Sequence, residues 1–301
     1  MKILCCGIFP ALQRTLELKT LKTGAVNRAY AVTQSVGGKA TNTARVLHTL
    51  GANPVLFGFI GGETGETIKN LLNEEGIDHA FVDTAIATRT AQTLLADDAH
   101  DFTEIIEDTE PLATKDWKTL IRHFQPLAKQ SDVLILSGTL PSHAPQEIYC
   151  ELLHGIEKKL VIIDTPGKPL LAVLKNQPTL VKINADELLK TTQLSDIEDA
   201  ARDLIAQGAG AVGITQGPNT ALLVLPDTTL HYSIPSVAVK STLGCGDSVN
   251  AGIAFALQKG NALPEAFLFG LACGTANAQT AFPGLLHPEQ IAGIAQQINI
   301  S

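Results

Sequence analysis

Short runs of β-branched and apolar residues alternate along the chain with stretches whose apolar positions recur every three or four residues. The runs at 2–8, 54–60, 132–136, 160–164, 179–183 and 211–215 predict strands, and the amphipathic stretches at 64–75, 114–129, 145–156 and 196–207 predict helices between several of them. This alternation predicts an α/β chain with a mostly parallel sheet covered by helices on both faces. Three segments of the first third, 14–20, 29–35 and 88–107, read as strands without crossover helices and predict a small sheet projecting from the main one. After two strands near 220–234 the pattern becomes almost wholly helical, at 247–258, 263–280 and 287–298. No linker rich in Pro, Gly or Ser and no internal repeat divides the chain, so one domain spanning 1–301 is expected.

Composition narrows what such a fold can do. With 45% hydrophobic and 17% charged residues and no low-complexity tract, the chain is expected to be a compact globule. A formal net charge of −8 argues against nucleic-acid partners, which require a surplus of Lys and Arg. Any bound phosphate must therefore be held locally. The five cysteines form no C-x-x-C pair and read as reduced thiols, and none of the eight histidines falls in a metal-binding pattern. The start of the chain lacks a leader pattern and no apolar run reaches the roughly 18 residues of a membrane span, so the expectation is a cytoplasmic protein with no membrane partner.

Two nucleotide-binding spellings fail on inspection. The segment Gly61 to Thr67 resembles a P-loop but carries Glu66 where a phosphate-binding lysine belongs. The run Gly208 to Gly213 spells G-x-G-x-x-G, yet it follows a helix and enters a strand, the reverse of the order a dinucleotide site needs. More informative is Ser241-Thr242-Leu243-Gly244-Cys245-Gly246-Asp247-Ser248, which leads into a helical pattern. Its glycines allow consecutive N–H groups to point one way at a helix N-terminus, a geometry that binds anions, and Asp247 would stand at its mouth as a proton acceptor. The same letters also fit a plain turn with an N-capping aspartate. Near the other end, Gly37-Gly38-Lys39-Ala40-Thr41-Asn42 reads as a glycine turn opening a helix. Lys39 and Asn42 fall on one helical face, a cation and a two-way hydrogen-bonding amide suited to a polyol. A helix start with a solvent-facing Lys39 is the other reading.

The two segments 37–47 and 242–251, in that order, resemble the two signatures of the PfkB/ribokinase carbohydrate kinases, and the similarity extends over almost the whole chain. Pro10-Ala11-Leu12, Gly24 to Arg28, Thr88-Arg89, Thr103-Glu104, Ser137 to Pro141, Asp164-Thr165-Pro166-Gly167 and Lys182 to Glu187 look like the branch containing 1-phosphofructokinase and tagatose-6-phosphate kinase. The resemblance implies a ribokinase-like three-layer α/β/α core with a β lid from about 9–35 and 85–108 covering the sugar. It implies ATP and Mg²⁺ as cofactors, a sugar or sugar phosphate as substrate, and a homodimer formed through the lids. Carried over residue by residue, it makes Asp247 the catalytic base and the backbone of Gly244, Cys245 and Gly246 the anion hole. Gln13, Gly37, Gly38, Lys39, Asn42 and Thr139 would contact the sugar, and Arg28 and Arg89 its phosphate. Lys182, Asn184, Thr215 and Gly217 match positions near the nucleotide, and Glu187 matches a carboxylate that organises Mg²⁺ through water. Plainer readings stand beside these: surface ion pairs for the two arginines, a first-turn helix carboxylate for Glu187, and a strand end for Thr215 and Gly217.

The chain departs from that branch where Gln13 replaces an aspartate and Phe9 a usual asparagine. Ala40 for Gly and Ile183 for Pro are milder changes. An uncharged amide at position 13 shifts affinity from the ring toward the phosphate, because a charge-assisted hydrogen bond is worth about 1.5–3 kcal/mol against about 1 for a neutral one. The expected activity is phosphorylation of a hydroxyl on a sugar phosphate. The alternatives are a kinase of an unphosphorylated sugar or nucleoside, and a noncatalytic binder.

Overall fold

The computed structural model of the chain describes residues 2–98, 102–141, 143–157 and 159–301. Its main sheet has ten strands, ordered from one edge as Asn299–Ile300, Thr229–Ser233, Thr220–Val224, Val212–Thr215, Leu180–Asn184, Leu160–Asp164, Val133–Ser137, Ile3–Cys6, Pro54–Phe57 and Asp78–His79. Neighbours from Val212–Thr215 to Asp78–His79 run parallel, and the three outward from Val212–Thr215 run antiparallel. The six strands expected from sequence are all present, with one break. The run 54–60 divides at Gly58 into Pro54–Phe57 and Phe59–Ile60, and the second piece pairs with Val82–Asp83 in a separate two-stranded sheet. A Cβ at Gly58 would lie 2.2 Å from the carbonyl oxygen of Gly7, so only glycine fits the crossing.

Alternation along the central strands sorts side chains into two cores. Ile3, Cys5, Val133 and Ile135 face one side, where the helices Lys39–Thr49, Gly62–Glu74, Cys245–Gln258, Leu263–Ala278 and Pro288–Ala295 pack. Leu4, Cys6, Leu134 and Leu136 face the other, under Thr114–Gln130, Ile148–Leu153, Lys168–Val173, Ala185–Thr192 and Ile197–Ala206. These are the three layers expected. Helix Leu263–Ala278 lies against Cys245–Gln258 with Gly270 and Gly252 at the crossing: a Cβ on Gly252 would stand 2.7 Å from the Cα of Gly270. The close packing fixes the start of Cys245–Gln258 relative to the sheet.

A second sheet of four strands, ordered Ala29–Gly37, Ala11–Leu18, Thr90–Ala96 and Phe102–Ile106, matches the small projecting sheet. Ala11–Leu18 runs antiparallel to Ala29–Gly37 and parallel to Thr90–Ala96. Residues 99–101, within the expected segment 85–108, lie outside the described residues. The P-loop lookalike opens helix Gly62–Glu74 with Gly61 pressed on the Ile86 carbonyl, and the G-x-G-x-x-G spelling closes one helix and enters Val212–Thr215, as the sequence order required. Among the described residues no helix is long and apolar enough to cross a membrane.

Candidate active site

Several candidate residues lie at or just beyond the carboxyl ends of adjacent parallel strands, where open α/β sheets bind ligands. Ser137, one residue before the Gly138-Thr139 turn, is paired in register with Asp164, and Asn184 with Thr215. Two helix N-termini, Lys39–Thr49 and Cys245–Gln258, point into the same region.

Cys245–Gln258 begins at Gly244, which caps it in the left-handed conformation with φ 75° and no side-chain cap. Glycine is required twice over, because a Cβ there would also lie 2.8 Å from the nitrogen of Gly284. Asp247 is the third residue of the helix, so it is not the N-cap that a plain turn would make it. Its carboxylate is buried, and Asn42 Nδ2 donates to its Oδ2 at 2.8 Å. Thr43 Oγ1 donates to the Asp247 carbonyl at 3.2 Å and ties the two helix starts together. Burial, then the charge of Asp164, push the Asp247 carboxyl up to about 6, while the Asn42 hydrogen bond and the Lys182 and Lys39 ammoniums oppose the rise. A carboxylate with that pKa is matched to accepting a proton near neutral pH.

Asp164 is the electrostatic hub, a residue that the sequence placed in a branch motif without giving it a role. Lys39 Nζ donates to its Oδ1 at 2.8 Å, Lys182 Nζ to its Oδ2 at 3.0 Å, and Asn250 Nδ2 also to Oδ2. Burial works against its ionisation, but the two ammoniums and the donated hydrogen bonds outweigh burial and hold the carboxyl well below the usual carboxylate range. Lys39 is likewise desolvated, yet Asp164 raises its pKa, so it stays charged. Lys39 is therefore not the solvent-facing lysine of the plainer reading. The signal for Asp164 was present in the sequence: an aspartate ends the buried run Leu-Val-Ile-Ile. Lys182 stands against the first turn of Cys245–Gln258, since a Cβ on Gly246 would lie 2.6 Å from its Nζ.

Glu187 and Asn184 form a capping box: Asn184 Oδ1 accepts from the Glu187 backbone at 2.8 Å, and Glu187 Oε2 from the Asn184 backbone at 3.5 Å. The first-turn reading of Glu187 thus holds locally, and its other oxygen reaches to 3.7 Å from Lys39 Nζ. On the second sheet, Gln13 Nε2 donates to Thr93 Oγ1 at 2.7 Å, and Thr93 Oγ1 donates to Glu104 at 3.4 Å. The carbonyl end of Gln13 faces Gly37, where a Cβ would come within 3.1 Å of it. Gly38 follows at φ 127° as the residue before helix Lys39–Thr49.

Arg89 is half-buried in a cleft with Phe9, Thr88, Thr109 and Leu112, donating to the Phe9 carbonyl at 3.5 Å, and its Nε has no partner among the described residues. Burial lowers its pKa and Asp108 opposes the change. Arg28 is exposed, and among the described residues it makes no ion pair and does not join the cluster. Thr139 is exposed beyond Val133–Ser137, Thr215 ends its strand, and Gly217 takes φ 77° in the following turn. Among the described residues no three His, Cys, Asp or Glu side chains are grouped to hold a metal ion.

A family model described as pfkB family carbohydrate kinase matches residues 2–286. The chain is similar to the 1-phosphofructokinase of Borreliella burgdorferi, 30% identical over 276 residues with 89% of each chain covered. It is equally similar to the 1-phosphofructokinase of Bacillus subtilis, 30% identical over 276 residues, covering 89% of this chain and 90% of that one. The solved phosphofructokinase-2 of Escherichia coli in complex with potassium superposes with a TM-score of 0.91 at 24% identity, over 99% of this chain and 98% of that one.

Proposed function

The chain belongs to the pfkB family of carbohydrate kinases, and from that premise we propose that it transfers a phosphoryl group from ATP to a hydroxyl of a hexose phosphate, with Asp247 as the base. The observation that carries the reading is the buried Asp247 carboxylate, held by Asn42 in the first turn of a glycine-capped helix. The sugar hydroxyl attacks the γ-phosphorus in line, its proton passes to Asp247, the new O–P bond forms and the bond to ADP breaks. Charge developing on the transferred group falls to the N–H groups of Gly244, Cys245 and Gly246, with the Lys182 ammonium beside them.

Lys182, Asn184, Thr215 and Gly217 are read as the nucleotide side. Gln13, Gly37, Gly38, Lys39, Asn42 and Thr139 are read as the sugar side, with Arg89 and Arg28 for its phosphate. The free Nε of Arg89 supports the phosphate reading, because a desolvated guanidinium with unused donors is completed by an anion. The protein groups fit Mg²⁺ only where water and ATP phosphates supply most ligands: Glu187 would hold it through water, and its charge would offset that of the triphosphate.

Residues 1–301 are read as one kinase domain whose four-stranded sheet closes over the sugar and excludes water, which would otherwise intercept the phosphoryl group. Five free thiols and the use of ATP support a cytoplasmic location. ATP consumption measured against fructose 1-phosphate, tagatose 6-phosphate, fructose, ribose and nucleosides tests the reading. Turnover confined to phosphorylated sugars, with Arg89→Ala raising KM for the sugar far more than for ATP, is expected. Equal turnover of a sugar with and without its phosphate, unaffected by Arg89→Ala, contradicts it.

A further inference from the structure

Asn42 meets the base with one end of its amide and an arginine with the other. While its Nδ2 donates to Asp247 Oδ2 at 2.8 Å, its Oδ1 accepts from Arg45 Nη1 at 3.3 Å. Arg45 lies three residues further along the same helix face. It is itself clamped, with Nε and Nη2 donating in parallel to Glu75 Oε2 and Oε1 at 2.6 and 2.9 Å, and Nη2 also to the Val36 carbonyl at 3.1 Å. Glu75 caps the end of helix Gly62–Glu74, and Val36 belongs to Ala29–Gly37 of the second sheet. One guanidinium therefore joins a second helix and the lid sheet to the group that touches the base.

A primary amide has two orientations that differ by a half-turn, and only one presents a donor to a carboxylate. A guanidinium has donors and no acceptor, so Arg45 pairs only with the oxygen of Asn42 and leaves the NH₂ for Asp247. We propose that Arg45, clamped by Glu75, is a positioning residue: it fixes the Asn42 amide so that it donates to Asp247 Oδ2 and leaves Oδ1 to take the substrate proton. The inference rests on the reading of Asp247 as the base and adds what aims that base.

The groups acting on the Asp247 charge are Asp164 and Lys182 from two strands and Lys39 and Asn42 from the facing helix. Among them Asn42 lowers the Asp247 pKa, so an amide free to turn lets that pKa rise and moves the acid limb of the rate profile to higher pH.

The experiment measures kcat and kcat/KM for fructose 1-phosphate and ATP against pH in the wild type, Arg45→Lys, Glu75→Gln, Asn42→Ala, the Arg45→Lys/Asn42→Ala double variant and Asp247→Asn. Arg45→Lys keeps the charge but not the fork, and is expected to lower kcat about tenfold, the lower end of one charge-assisted hydrogen bond. KM for ATP should stay unchanged and the acid limb should rise in pH. Glu75→Gln should move the limb the same way by less, and the double variant should be no worse than Asn42→Ala. An unmoved limb in Arg45→Lys and Glu75→Gln overturns the proposal, as do additive losses in the double variant. Glu75→Gln decides alone if Arg45→Lys does not fold. Near-normal turnover by Asp247→Asn would instead overturn the base assignment, and the inference with it.

Discussion

Asp164 and Asp247 are buried carboxylates on facing elements, and their surroundings push them in opposite directions. Asp164 has two ammonium partners and stays ionised, whereas Asp247 has one amide donor and the repulsion of Asp164. The folded-state pKa of Asp247, about 6, lies above its ordinary 3.8, so the contribution of this group to stability is full below pH 3.8 and lost as pH rises through about 6. Asp247→Asn is therefore expected to be the more stable protein at pH 8, by up to about 2–3 kcal/mol as two pKa units are worth. At pH 4 the two should melt alike. Thermal melts at both pH values check this, and a variant less stable at pH 8 would contradict the electrostatic assignment. For Asp164 the sign reverses, because its depressed pKa makes its contribution present above 3.8 and lost as pH falls through the lower folded value. Asp164→Asn leaves Lys182 buried without a carboxylate, so a loss of about 3–5 kcal/mol at neutral pH is expected in denaturant melts.

At the scale of elements, the glycine-capped turn before Cys245–Gln258 separates two effects that look alike in sequence. Gly244 has φ 75° and backbone of Pro283 and Gly284 within 3 Å of a Cβ, so Gly244→Ala strains the turn itself. Gly246 lacks that constraint, and the obstacle is the buried Nζ of Lys182, which Asp164 holds. Gly244→Ala is expected to lower both thermal midpoint and kcat to the same extent in the wild type and in Asp164→Asn, while Gly246→Ala lowers kcat and the midpoint by pushing the ammonium off Asp164, so that it adds little to Asp164→Asn. Melts and turnover of the pair distinguish the two.

The glycines, Lys39, Asn42 and Asp247 were legible in sequence because they are local: a turn, a helix start and a face three residues wide. Helix boundaries moved by a few residues at most sites, as at 145–156, which shortens to Ile148–Leu153. Helix Ala185–Thr192 was signalled only by Asn184 and Glu187, and the edge strand Asn299–Ile300 lay hidden just past a helical pattern. The break at Gly58, set by the carbonyl of Gly7, and the Glu75–Arg45 clamp depend on contacts between distant segments, for which one sequence carries no signal.

The whole molecule carries a formal charge of −8, so its long-range field opposes both a sugar phosphate and ATP. Affinity must come from the few cations gathered at the strand ends and under the second sheet. That sheet also exposes Val32, Leu95, Phe102, Ile105 and Ile106, apolar side chains that pairing between the lids of two copies would cover. Light scattering is expected to give twice the chain mass at micromolar concentration, and Ile105→Asp to give a single chain; a monomeric wild type removes the lid-paired dimer. The role of Asp247 is decided by the turnover of fructose 1-phosphate with ATP by wild type and Asp247→Asn at pH 7.5. A fall in kcat of about 10²–10⁴-fold, the usual share of a general base, is expected in a folded variant that still binds ATP. Near-normal turnover by that variant would contradict it.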